Sequence, residues 1–277
     1  MQLTNQIHLG ALLTTRLRSS VAIPTISALF ANDAPGVWYD PSDLTTLFQD
    51  TAGTTPVTTA GQTVALMLDK SGNDLHATQA TAAARPEYQT DGTLHWLEFD
   101  GVDDYMVTPT ITPGAGLSAQ FFAGVNVATP KSNNSPVYQY GDAPFSSTGA
   151  LLKFATGDGS TDAYRAQVFG SGSNQTARVT AVAPYTSAFS VLYDASAVGA
   201  DEISLRENGS VTAVGSATDS GLTSFGNSQM WVGSNPSGSA NFSGNIYSLV
   251  TRFGANLDAN EIAQSETYVA GKTGVTL

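Results

Sequence analysis

The stretch Ile203-Ser204-Leu205-Arg206-Glu207-Asn208-Gly209-Ser210-Val211-Thr212-Ala213 sets Asn-Gly between two runs of alternating apolar and polar residues. A two-residue turn of the primed type needs positive φ at both central positions. Asn and Gly adopt it at least cost, and its twist matches that of the strands it joins. The spacing predicts a β-hairpin. Working outward, Phe121, Ala123, Val125 and Val127 alternate with Gln120, Phe122, Gly124 and Asn126. Tyr164, Ala166 and Val168 alternate with Arg165 and Gln167, and Phe189, Val191 and Tyr193 with Ser190 and Leu192. Period two repeated this often means sheets with one buried face. Further strands are expected at 64–68, 94–99, 151–154, 177–182, 229–233 and 246–253, separated by turn clusters such as Gly157-Asp158-Gly159-Ser160.

One helix is expected near the end of the chain. Asp258 is a good N-cap, Glu261 completes a capping box, and Leu257 with Ile262 occupy the positions of a hydrophobic staple. Gly271 is the expected C-terminal stop, and Ile262, Ser265 and Val269 share the face that would lie on a sheet. Many strands, regular turns and a single late helix point to an all-β fold, a two-sheet antiparallel jelly-roll sandwich with one short C-terminal helix. No repeat of 20 to 50 residues is present, which counts against a propeller or solenoid.

At 277 residues the chain is long enough for one large core. Its polar half is unusual: charged residues make up only 12%, while Ser and Thr number 61. A surface solubilised by hydroxyls and amides is common in extracellular and virion β-proteins. The net charge of −12 repels nucleic acid and anionic membrane surfaces, and the basic residues form no stripe beyond Arg16 and Arg18. The absence of cysteine excludes disulfides, thiolate zinc sites and cysteine nucleophiles. Arg16 and Arg18 follow the apolar stretch at 7–13 rather than precede it, so no signal peptide is expected, and no apolar run approaches the length of a membrane span.

Residues 1–33 differ in texture from the rest. Leu3, Ile7, Leu9, Leu12, Leu13, Leu17, Val21, Ile23, Ile26, Leu29 and Phe30 follow no clean period, and Asn32-Asp33-Ala34-Pro35-Gly36 closes the stretch as a turn cluster. Two readings stand side by side: an N-terminal arm ordered against a partner, or a first strand or helical fragment docked on the same domain. Residues 34–277 form the sandwich domain on either reading.

Three stretches resemble the concanavalin A-like, laminin G-like jelly roll found in bacteriophage virion structural proteins. They are Val37-Trp38-Tyr39-Asp40-Pro41-Ser42-Asp43-Leu44 with Leu68-Asp69-Lys70-Ser71-Gly72-Asn73; Leu97-Glu98-Phe99-Asp100-Gly101-Val102-Asp103-Asp104-Tyr105; and Phe242-Ser243-Gly244-Asn245-Ile246 leading to Leu257-Asp258. The resemblance spans 37–277. It implies a multicopy or homo-oligomeric virion protein, a decoration, spike or tail-associated subunit. Residues 1–33 would anchor it on other virion proteins, and its jelly roll would be displayed outward, with host-surface glycan as a second partner. The alternative is a polysaccharide-cleaving glycoside hydrolase or lyase on the same fold.

The chemistry of the residues favours the non-enzymatic reading. Asp100, Asp103 and Asp104, with Asn73 and Asp74 as further oxygen donors, form a candidate calcium site. A turn tied by Asp side chains to local N–H groups is the favoured reading of the same residues. Glucanases of this fold carry Glu-x-Asp-x-Glu on one strand face. The nearest approach here is Asp201-Glu202 with Glu207, which read as surface carboxylates flanking the hairpin. Gly271-Lys272-Thr273 is no phosphate loop, because Glu266 stands where the leading Gly belongs and the stretch closes a helix. His8, His76 and His95 are too scattered for a metal cluster, and no Ser sits in a Gly-x-Ser-x-Gly elbow. No catalytic residue and no cofactor are therefore expected. Trp38, Trp96, Trp231, Tyr138 and Tyr140 are the aromatic candidates for stacking on a sugar, although each is more often core in a sandwich.

Overall fold

A computed structural model describes residues 25–128, 134–141, 151–157, 163–170, 174–216 and 219–277. In chain order the strands are β1 (Gly36–Tyr39), β2 (Leu47–Phe48), β3 (Gln62–Thr63), β4 (Leu66–Met67), β5 (Ala77–Thr78), β6 (Glu87–Thr90), β7 (His95–Asp100), β8 (Met106–Val107) and β9 (Ser118–Val127). They continue with β10 (Ser135–Tyr140), β11 (Leu151–Thr156), β12 (Ala163–Phe169), β13 (Gln175–Thr180), β14 (Tyr185–Asp194), β15 (Ile203–Glu207), β16 (Ser210–Val214), β17 (Met230–Val232) and β18 (Ser243–Gly254). Two nine-stranded sheets result. The first runs β16-β15-β14-β9-β18-β7-β6-β3 with β1 also on β18; the second runs β13-β12-β11-β10-β17-β8-β5-β4-β2. Every pairing is antiparallel. The all-β sandwich read from the sequence is the fold.

The deciding hairpin forms as its residues require. Asn208 and Gly209 have φ of 48° and 79°, both positive, and Glu207 lies opposite Ser210. The alternating residues of β9, β14 and β18 then build the core between the sheets, where Phe121 stacks on Tyr138 with ring centroids 4.3 Å apart. Of the strand expected at 64–68 only 66–67 forms, as β4, with β3 just before it at 62–63. β3 belongs to the first sheet and β4 to the second, and the chain crosses between the sheets at Val64 and Ala65, both fully buried. A continuous apolar run has no polar face to hold it in one sheet, so it can turn through the core.

Helix α1 (Ala259–Thr273) starts as expected: Asp258 accepts from the N–H groups of Asn260 and Glu261, and Glu261 returns a carboxylate to the Asp258 N–H. It ends later than expected. The left-handed cap is Gly274, with φ 73°, and not Gly271. Ala270 and Thr273 are buried against the sheet, and that packing carries the helix past a glycine in its interior. The helix end comes so close that a Cβ on Gly124 would meet Thr273 Cγ2 at 2.6 Å. On this outer face Phe122, Ala188 and Val250 pack with Val269 and Ala270 in a second apolar cluster. The same cluster takes in Ile26, Leu29 and Phe30 from a 3-10 turn, and Arg252 Nε donates to the Leu29 carbonyl at 2.9 Å. Residues 25–33, the last of the stretch read as an arm, thus lie on their own chain's sandwich; the arm's other residues, His8 included, lie outside the described residues. No helix among the described residues is long and apolar enough to cross a membrane.

Candidate active site

The site begins with a hairpin. Strands β6 and β7 are joined through Asp91-Gly92-Thr93-Leu94, and their register sets Glu87 directly opposite Glu98 and Gln89 opposite Trp96. Their partners in the alternation, Tyr88, Leu97 and Phe99, point into the core, so Glu87, Gln89, Glu98 and Asp100 stand on the outer face. Both glutamates are exposed.

Beyond β7 the chain turns through Asp100-Gly101-Val102-Asp103-Asp104. Asp100 Oδ1 accepts from the N–H groups of Val102 at 2.7 Å and Asp103 at 3.4 Å, and Asp104 Oδ2 accepts from the Asp100 N–H at 2.9 Å. These are the local side-chain-to-backbone bonds that Asp turns favour. The turn brings carboxylate oxygens of Asp100, Asp103 and Asp104 within 4.8 Å of one another, a donor set of the kind hard cations take. Asn73 is not part of it, since its amide donates to the Ala34 and Gly36 carbonyls. Asp104 is 6% exposed, and burial, reinforced by the charges of Asp100, Asp103 and Glu87, pushes its carboxyl up to about 6.

A pocket of about 620 Å³ opens over these groups, lined by Arg85, Glu87, Gln89, Glu98, Asp100 and Asp104, with Thr63 of β3 and the Ala82-Ala83 turn at its rim. Arg85 is anchored to the backbone: Nε, Nη1 and Nη2 donate to the carbonyls of Gln79, Gln49 and Ala80. A carboxyl that keeps its proton up to about pH 6 thus lies beside exposed carboxylates, a difference in protonation that acid–base chemistry can use.

The residues singled out by sequence fall elsewhere. Tyr138 and Tyr140 are core; Trp38, Trp96 and Trp231 are half-buried, with Trp38 Nε1 donating to Tyr268 Oη at 2.8 Å under the Lys70 ammonium. Glu202 and Glu207 are not surface carboxylates. Glu202 is 3% exposed and accepts from the N–H and hydroxyl of Ser220, each at 2.9 Å, while Glu207 accepts from Ser187 Oγ at 2.5 Å and from the Tyr164 hydroxyl. Each ties a neighbouring segment to the hairpin, which is why it is drawn inward. His76 Nδ1 accepts from the Asp69 N–H, and His95 Nδ1 pairs with the Tyr88 hydroxyl at 2.6 Å. Lys272 Nζ donates to Asp40 and Ser42 at 2.9 and 2.6 Å, so the helix end is a clamp on the β1 loop. Glu87, Glu98 and Arg85 escaped sequence reasoning. The signal was the Asp91-Gly92 turn, which, read as a hairpin, pairs positions whose numbers sum to 185.

Fold and site together define a two-sheet antiparallel sandwich carrying an acidic pocket at one sheet edge. No protein-family model matches the sequence, and no curated protein matches it either. Solved structures do. Domain 4 of a GH43 extracellular arabinanase from Geobacillus stearothermophilus, solved with arabinotriose, is similar at 13% identity and a TM-score of 0.54 over 85% of this chain and 98% of that one. A GH54 α-L-arabinofuranosidase is similar at 15% identity and a TM-score of 0.55 over 90% of this chain, and Trypanosoma rangeli sialidase at 14% and 0.50 over 85%. The chain spans 66% and 37% of those two proteins. Identities this low show the fold alone.

These likenesses correct the phage-virion resemblance, because the solved structures that share the sandwich include an arabinanase domain, an arabinofuranosidase and a sialidase. The expectations that hung on it are corrected with it: a non-enzymatic structural subunit, virion proteins as partners, a place in the particle, and the absence of catalysis. The physical reason lies in what the motifs encode. Asp100 and Asp104 hold a turn, Asp258 caps a helix, and Gly244 at φ 150° lies where a Cβ would meet the Asn126 carbonyl at 2.2 Å. Such residues specify a sandwich and carry no information on where it is used.

Proposed function

We propose that the chain is a carbohydrate-acting protein that cleaves a glycosidic bond in the pocket between β6, β7 and the turn at 100–104. One observation carries the reading: Asp104, with its carboxyl pushed up to about 6, lies in the same pocket as the facing pair Glu87 and Glu98. The protonated Asp104 gives its proton to the leaving glycosidic oxygen as the bond to the anomeric carbon breaks. A glutamate of the pair removes the proton from the water that attacks that carbon. Its setting is outside the cell, in keeping with a low-charge, hydroxyl-rich composition and with the extracellular arabinanase of the same fold.

The experiment is reducing-end release from arabinan, arabinoxylan and β-glucan, by the full chain and by its Asp104→Asn and Glu98→Gln variants. Cleavage that falls at least about a hundredfold in each variant supports the reading. Binding of these glycans without release of reducing ends overturns it.

A further inference from the structure

The acidic pocket is one end of a longer feature. Reading the pairings across the first sheet, Thr63 faces Glu87, Glu87 faces Glu98, Glu98 faces Asn245, Asn245 faces Asn126, and Asn126 faces Thr186. Six consecutive strands, β3-β6-β7-β18-β9-β14, thus contribute one residue each to a single row at right angles to the strands, and every member is a carboxylate, an amide or a hydroxyl. Five inter-strand steps of about 4.8 Å give the row a length of about 24 Å. The two glutamates are exposed and the other four half-buried.

What leaves this row open is the placement of helix α1. It covers Phe122, Ala188 and Val250, and its end reaches the sheet at Gly124, one pleat repeat short of Asn126. Beside the row, Trp96 stands opposite Gln89 of the pocket wall and packs on Tyr247 with ring centroids 5.6 Å apart. The Trp96 indole N–H is buried with no partner among the described residues. A β-bulge between Ile246 and Ser248 inserts Tyr247 at this point and re-aims the strand, as bulges beside binding sites do.

We infer that this row is a binding track for an extended, uncharged glycan chain, laid across the strands from the acidic pocket to Thr186. The inference rests on the cleavage reading for the pocket and names the substrate class of that site. Amides, hydroxyls and carboxylates in line are the partners that sugar hydroxyls need, with Trp96 and Tyr247 as an apolar step at one side. The track takes an uncharged chain because the carboxylates of Glu87, Glu98 and Asp100 face it at the pocket, while the one cation lining it, Arg85, has a bond from each of Nε, Nη1 and Nη2 to a backbone carbonyl. A uronate or sialate carboxyl entering the pocket would meet several carboxylates against a single guanidinium, three of whose five N–H groups are already taken by backbone carbonyls.

The test is calorimetric binding of arabino-, xylo- and cello-oligosaccharides of two to six units, and of oligogalacturonates of matched length, to the full-length Asp104→Asn chain, which holds a ligand without turning it over. The track predicts that affinity for one neutral series rises at least about tenfold from two to five units and that oligogalacturonate binds more weakly at every length. Asn245→Ala and the isosteric Thr186→Val, at the middle and far end, should each weaken the longest ligand about fivefold and leave the disaccharide unchanged; Thr186→Val also removes the hydroxyl that accepts from Asn126 Nδ2 at 2.8 Å, so its melting midpoint is measured beside its affinity. Affinity flat with length, tighter binding of oligogalacturonate, or no binding of any neutral series overturns the inference. Length-dependent binding with no cleavage by the unaltered chain upholds the track and removes the cleavage reading; cleavage with flat affinity does the reverse.

Discussion

Glu87 and Glu98 stand directly opposite each other on neighbouring antiparallel strands, both exposed and both on the outer face of the sheet. Like charges facing across a strand pair destabilise it, so the pair opposes the fold that holds it. Glu98→Gln should therefore raise the urea midpoint at low ionic strength, with the gain shrinking as salt screens the pair, while cleavage is lost. Chemical denaturation at two salt concentrations, beside a reducing-end assay, checks both halves.

Asp104 makes stability depend on pH in an unusual direction for an aspartate. Its carboxyl has a value of about 6 in the fold against 3.8 ordinarily, so the fold favours the neutral form. That contribution is complete below about pH 4 and is lost as pH rises through about 6. Asp104→Asn, which keeps an acceptor for the Asp100 N–H, should match the parent at pH 4 and exceed it at pH 7.5 by on the order of 2 kcal/mol, allowing for partial solvent access. Equal stabilities at both pH values would refute the burial argument. Cleavage by the unaltered chain should decline above about pH 6 for the same reason.

Arg206 and Glu266 form a second test, remote from the pocket. Glu266 is 2% exposed and takes Arg206 Nε at 2.6 Å and Ser190 Oγ at 2.9 Å. Arg206→Leu leaves that carboxylate buried with a single hydroxyl and should cost about 3 kcal/mol. Adding Glu266→Leu to the same chain should recover most of the loss, since an apolar pair replaces an ion pair at little cost. A thermal or urea melt of the two single variants and the double variant measures it.

Gly209 tests the turn. At φ 79° it lies in the left-handed region, yet the nearest atoms to a Cβ built there are 3.8 Å or more away. Gly209→Val should cost about 1–2 kcal/mol through backbone strain alone, and Gly209→Asn clearly less. Equal midpoints for the two variants would show that the turn relaxes to another type.

The parts legible in the sequence are those whose causes lie within a few residues. Asn208-Gly209 carries its own turn, Asp258 and Glu261 carry their own cap, and the alternation of Phe121, Ala123, Val125 and Val127 carries the inner face of β9. Where a distant partner decides, the local reading goes astray. Gly271 looks like a helix stop until Ala270 and Thr273 are seen packed on the sheet, and 64–68 looks like one strand until 64–65 is seen crossing from one sheet to the other. Glu202 looks exposed until Ser220 closes over it.

The candidate site divides the same way. By itself the sequence determined an all-β sandwich, its deciding hairpin, the start of its one helix, and the Asp turn at 100–104, because hydrogen bonds to near neighbours and side-chain alternation are local matters. Only the tertiary structure decided that Glu87 faces Glu98, that Thr63 and Asn245 extend their row, that Arg85 is anchored on backbone carbonyls, and that burial pushes the Asp104 carboxyl up to about 6. Cross-strand register and desolvation are set by residues far apart in the chain, and a charge's behaviour follows from what the fold brings beside it.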